Sequence, residues 1–101
     1  METKELIKKI KFALSIDEDS ESEYQQNVDE EITDLINAAK RDLEIAGVVI
    51  TSEYDALITR AIITYCKANY KPDADYDKLK KSFDEQKAQL MSCTQYWRKQ
   101  A

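Results

Sequence analysis

The stretch Val28-Asp-Glu-Glu-Ile-Thr-Asp-Leu-Ile-Asn-Ala-Ala-Lys-Arg-Asp-Leu-Glu-Ile-Ala46-Gly47 decides the fold. Val28, Ile32, Leu35, Ile36, Ala39, Leu43 and Ala46 recur at steps of three or four, the spacing that places side chains on one face of an α-helix. Glu30, Asp34, Lys40, Arg41 and Glu44 fall on the opposite face. The spacing predicts an amphipathic helix of about five turns. Asn27 is a suitable N-cap for it, and Asp29, Glu30 and Glu31 suit the positive end of the helix dipole. Gly47 suits the left-handed position just past its end.

The same periodicity extends in both directions. Upstream, Leu6, Ile7, Ile10, Ala13 and Leu14 make a short amphipathic helix that Thr3 caps. It is marginal alone and must pack on something. Between the two, residues 15–27 lose the apolar pattern and read as a solvated acidic loop. Downstream, Val48-Val49-Ile50 is a short apolar run, either a strand-like crossing or a staple onto the next helix. Ser52 and Asp55 resemble a capping box. They open a helix to about Tyr70 carrying Leu57, Ile58, Ala61, Ile62, Tyr65, Cys66 and Ala68. Ile63 widens that stripe beyond one face, so this helix is expected to be the central one. Pro72 ends it, because the residue before a proline avoids right-handed helical geometry.

A last helix begins near Asp75. Tyr76, Phe83, Leu90 and Trp97 fall seven apart with Leu79 and Cys93 between them, and Gln86 interrupts the seam. About 20 residues of helix reach roughly 30 Å, more than a three-helix core covers, so its far end is expected to project. The fold class is therefore all-α: one four-helix domain over residues 1–101 with a long C-terminal helix.

Composition supports this and narrows function. The 101 residues include one Gly, one Pro and no His, with 43% hydrophobic and 35% charged residues. Such scarce turn residues exclude an all-β sandwich, and one glycine cannot build a phosphate-cradling loop. Without imidazole there is no Ser-His or Cys-His couple and no ordinary zinc site. Cys66 and Cys93 form no CxxC pair and read as reduced thiols. Cys66 lies mid-helix on an apolar face with nothing to activate it. The acidic run Asp17 to Glu23 fails as an EF-hand: Ser22 stands where glycine is needed and Val28 where the bidentate Glu belongs. No catalytic residue, cofactor or metal is expected. No stretch is long and apolar enough for a membrane span, and METKELIKK lacks the apolar core of a secretory signal, so synthesis in a cytoplasm is expected.

The formal charge of −5 hides a division along the chain. Residues 15–55 carry thirteen acids against Lys40 and Arg41, while the segments before and after are net positive. Lys4, Lys8, Lys9 and Lys11 on the first helix, and Lys78, Lys80 and Lys81 on the last, raise nucleic-acid binding. The acidic middle argues against it. A helix-turn-helix at Gly47–Thr51 leads into Glu53, Tyr54 and Asp55, a poor start for a helix that approaches phosphates. Tyr54, Tyr65, Tyr70 and Tyr76 lie on or beside apolar faces. Tyr96 and Trp97 are flanked by charge and read as an interface anchor.

Several phrases together resemble a known family. They are Ile16-Asp17-Glu18-Asp19, the run Glu31 to Leu43, Gly47-Val48, and Tyr54 through Tyr70, followed by Tyr76 through Leu90. The pattern is similar to the small head–tail connector, or DNA-packaging, proteins of long-tailed phages and Gram-positive prophages, over nearly the whole chain. Many relatives carry an Asn-Arg pair after the aromatic of the third helix; here Asn69 is followed by Tyr70.

The resemblance implies a structural adaptor, with no enzyme activity and no cofactor, made in the bacterial host cytoplasm and placed at the head–tail junction of the virion. It docks on the portal after DNA packaging and forms a ring of about a dozen copies, a closed heterologous assembly. The ring extends the channel through which DNA passes without sequence-specific binding, and it receives the stopper or tail proteins. In related adaptors the C-terminal segment engages the portal, which gives Tyr96, Trp97 and Arg98 a role. A ring also needs two different complementary surfaces on each subunit. The acidic residues Glu30, Glu31 and Asp34 are the candidates for one of them. The alternative reading is a small helical DNA-associated regulator.

Overall fold

A computed structural model describes residues 3–14, 23–50 and 56–92. Four helices carry them: α1 (Thr3–Ala13), α2 (Glu23–Ile45), α3 (Ala56–Asn69) and α4 (Tyr76–Met91), with no strand among the described residues. The all-α, four-helix expectation holds.

The α2 stripe is buried as its spacing requires: Val28, Ile32, Ile36, Ala39 and Leu43 all lie in the core. Its start differs from the expectation. The helix begins at Glu23, so Asn27 is inside it and does not cap it. Glu and Gln are good helix formers, and adding a turn to an existing helix costs little, so the helix outruns its apolar stripe. Asp29, Glu30 and Glu31 therefore lie beyond the first turn, where the dipole's influence has faded. The acidic loop loses residues 23–27 to α2, and with them Glu23, the last residue of the acidic run; residues 15–22 lie outside the described residues.

The other end follows the sequence closely. Gly47 has φ +105°, its N–H donates to the Glu44 carbonyl at 3.0 Å, and the Val48 N–H donates to the Leu43 carbonyl at 2.9 Å. These two bonds are a Schellman motif, and the usual apolar accompaniment is present in buried Leu43 and Val48. A Cβ on Gly47 would meet nothing within 4 Å, so substitution meets backbone strain without a clash. Gly47→Ala is expected to cost about 1–2 kcal/mol, read as a lowered midpoint in urea at unchanged slope. The run after it forms no strand; Val48 is buried and Ile50 packs against the core.

α3 is central, touching each of the other three helices. It buries Ile58, Ala61, Ile62, Cys66 and Ala68, and also Thr59 and Thr64 on a second face. The Thr64 hydroxyl donates to the Arg60 carbonyl at 3.0 Å. The helix stops where Lys71, with φ +48°, adopts the left-handed conformation before Pro72. The proposed capping pair Ser52 and Asp55 lies outside the described residues, as does Tyr54.

The Asp73 carboxylate accepts the Asp75 N–H at 2.8 Å and turns the chain into α4. On the α4 seam, Phe83 and Leu90 are buried, and the Phe83 ring meets Tyr65 edge-on at 5.2 Å between centroids. Leu90 is 1% exposed, so α4 still lies on the core in its last described turn. α4 has 16 residues against the expected length of about 20, ending at Met91 with Ser92 as its C-cap, and no projecting end is seen among the described residues; Cys93 and Trp97 lie outside them.

Candidate functional site

The charge division folds back on itself in two places. Lys11 of α1 reaches across to Asp29 of α2 as an ion pair, and Lys87 of α4 reaches Asp42 of α2 at 2.7 Å. Lys87 also lies over the Phe83 ring, 5.3 Å from its centroid. Part of the acidic middle is thus neutralised by the basic ends of the same chain.

Lys11 corrects the lysine cluster expected on the first helix. It is only 6% exposed, so the solvent-facing basic residues there are Lys4, Lys8 and Lys9, beside an 86% exposed Phe12. On α4, Lys78, Lys80 and Lys81 are exposed as expected, and Lys80 pairs with Asp84 at 3.7 Å.

Glu30, Glu31 and Asp34 are all exposed on the outer side of α2, and none of them is ion-paired within the described residues. Tyr96, Trp97 and Arg98 lie outside the described residues.

A second surface was not visible in the sequence. On the side of α3 between α1 and α4 runs a trough of about 610 Å³. Its floor is Ala56, Thr59, Arg60, Ile63, Thr64 and Lys67, one face of α3 at steps of three and four. One wall is Lys9 and Ala13 of α1; the other is Leu79, Ser82 and Gln86 of α4. Lys9, Arg60 and Lys67 bring three positive charges, and none of the lining residues among the described ones is acidic. Thr59 Oγ1 and Gln86 Oε1 are shut off from solvent and have no hydrogen-bond partner among the described residues. The interruption of the α4 seam at Gln86 was the one sequence signal for this surface.

A smaller hollow of about 160 Å³ lies between Asp42, Tyr65, Asn69, Tyr76 and Lys80. Asn69 Nδ2 donates to the Tyr65 carbonyl at 2.9 Å, so it is occupied in ending α3. Burial, with the Asp42 charge second, pushes the Tyr65 hydroxyl above its usual range.

Burial likewise pushes the Cys66 thiol up to about 12. The folded protein is expected to resist alkylation at Cys66 at mildly alkaline pH, and to react only on unfolding, as peptide mapping after iodoacetamide will show. The shift also has a stability consequence. An unfolded thiol ionises near 9.0 while the folded one holds its proton to about 12, so this contribution is complete below pH 9 and is lost as pH rises through that window.

No group of three or more metal-ligating side chains converges among the described residues. No described helix is long and apolar enough to cross a membrane. The described surfaces include an exposed acidic face on α2 and a cationic trough beside α3.

A family model described as phage connector protein matches residues 6–96. No curated protein and no solved structure matches the chain.

Proposed function

The chain belongs to the phage connector protein family, and from that premise we propose that it is a structural head–tail connector. In this reading it docks on the portal after DNA packaging, closes into a ring of about a dozen copies that extends the DNA channel, and joins head to tail. The observation that carries the reading is the family match, which spans nearly all of the sequence.

Two structural features support it. The acidic α2 face and the cationic trough are different surfaces of one subunit, which is what a heterologous, ring-closing interface needs. The net charge of −5 suits a channel wall along which DNA slides without adhering. The partners in this reading are the portal, a stopper or tail protein, and further copies of the chain. Tyr96, Trp97 and Arg98 are the proposed portal contact, and the protein sits at the head–tail junction after synthesis in the host cytoplasm. It carries out no catalysis.

Inactivating the gene in a producing phage tests this. The expected result is DNA-filled heads and free tails that do not join, restored by the protein supplied in trans. Normal virions without the protein would refute the reading. Loss of transcriptional control with intact virion assembly would support the DNA-associated regulator in its place.

A further inference from the structure

We propose that the trough between α1 and α4 receives the acidic α2 face of a second copy of this chain. Glu30, Glu31 and Asp34 of one subunit meet Lys9, Arg60 and Lys67 of the next, and this contact is the repeating interface of the ring. The proposal rests on the connector reading and adds the receiving surface to it.

Charge is the first argument. Acidic residues outnumber basic ones in this chain by 20 to 15, yet none of the described ones lines the trough. Lys4, Lys8, Lys9, Arg60, Lys67, Lys78 and Lys81 have no carboxylate partner among the described residues, and of these Lys9, Arg60 and Lys67 line the trough. The three carboxylates on α2 are equally unpaired among the described residues. Two complementary sets, both without partners among the described residues, satisfy each other between subunits.

Shape and topology agree. The α3 floor from Ala56 to Lys67 runs about 16 Å, enough for the short acidic span on α2. No α2 residue lines the trough, so one subunit offers its α2 face and its trough at the same time. That independence lets the contact repeat from copy to copy.

Carbodiimide coupling of an equal mixture of isotope-labelled and unlabelled chains tests this, with the chain alone at rising concentration and bound to purified portal rings. The expected products are mixed-label cross-links from Lys9 or Lys67 to Glu30, Glu31 or Asp34. In parallel, Arg60→Glu with Lys67→Glu is expected to weaken association about tenfold or more. Adding Glu30→Lys and Asp34→Lys to the same chain is expected to restore it.

Association through other cross-links overturns this interface and leaves the connector reading standing. Cross-links confined to one label show that the chain fills its own trough, which also overturns the interface. So does a set of trough variants that lose duplex DNA binding while associating normally. Chains that never associate, even with portal present, overturn the connector reading and the interface with it.

Discussion

Replacing Ile62 with Ala is expected to lower the unfolding free energy by about 2–5 kcal/mol, the range for emptying a fully buried aliphatic site. Ile62 is 0% exposed and belongs to α3, the helix that touches all the others. Little room exists for the neighbours to collapse into the space, because each is held by its own contacts with α3. Domains of this size have only about 5–15 kcal/mol in total, and each kcal/mol moves the thermal midpoint by about 4–8 °C. The variant is therefore expected to melt roughly 10 °C or more below the parent. Ile45→Ala is the control. Ile45 is 72% exposed, so its loss is expected to stay within about 0.5 kcal/mol. Far-UV circular dichroism on both variants checks the pair, and equal midpoints would contradict the central placement of α3.

The second large effect is at the ion pair between α1 and α2. Asp29→Ala removes the α2 carboxylate that the buried Lys11 ammonium reaches. A fully enclosed pair broken this way loses about 3–5 kcal/mol, but Asp29 is half-exposed and water takes over part of its role, so about 1–3 kcal/mol is expected. Lys11→Met keeps most of the stem's packing and removes the charge that needs a partner, and it is expected to fall within about 1 kcal/mol of the parent. Asp29→Ala in the Met background is then expected to cost far less than alone. A double-mutant cycle from urea denaturation measures the coupling. A large, equal loss for Lys11→Met would show that the ammonium itself holds the two helices together.

Lys11 also shows where sequence reading stops. Ile7, Ile10, Lys11 and Leu14 stand at steps of three, one and three, so the helical period places Lys11 on the buried side. Its residue type alone assigned it to a solvated basic face. The α2 stripe and the Gly47 terminus were legible because both are local: spacing fixes the face, and only glycine takes φ +105° without strain. The start of α2 was not, because Glu23 to Asn27 carry no apolar pattern and their helicity comes from propagation. Segment charges could not separate pairs made within a subunit, such as Lys87 with Asp42, from charges left free for a neighbour. The trough was least legible of all. It exists only because Lys9, Arg60 and Gln86, far apart in the chain, face one space once α1 and α4 settle on α3.

As a connector, this chain is proposed to assemble on a portal. Sedimentation of the purified full-length protein with purified portal rings of the same phage tests it most directly. Co-sedimentation as a ring of several copies per portal is expected, weakened when Glu30, Glu31 and Asp34 are replaced by Gln. No association with the portal, together with salt-sensitive binding to duplex DNA, would contradict it.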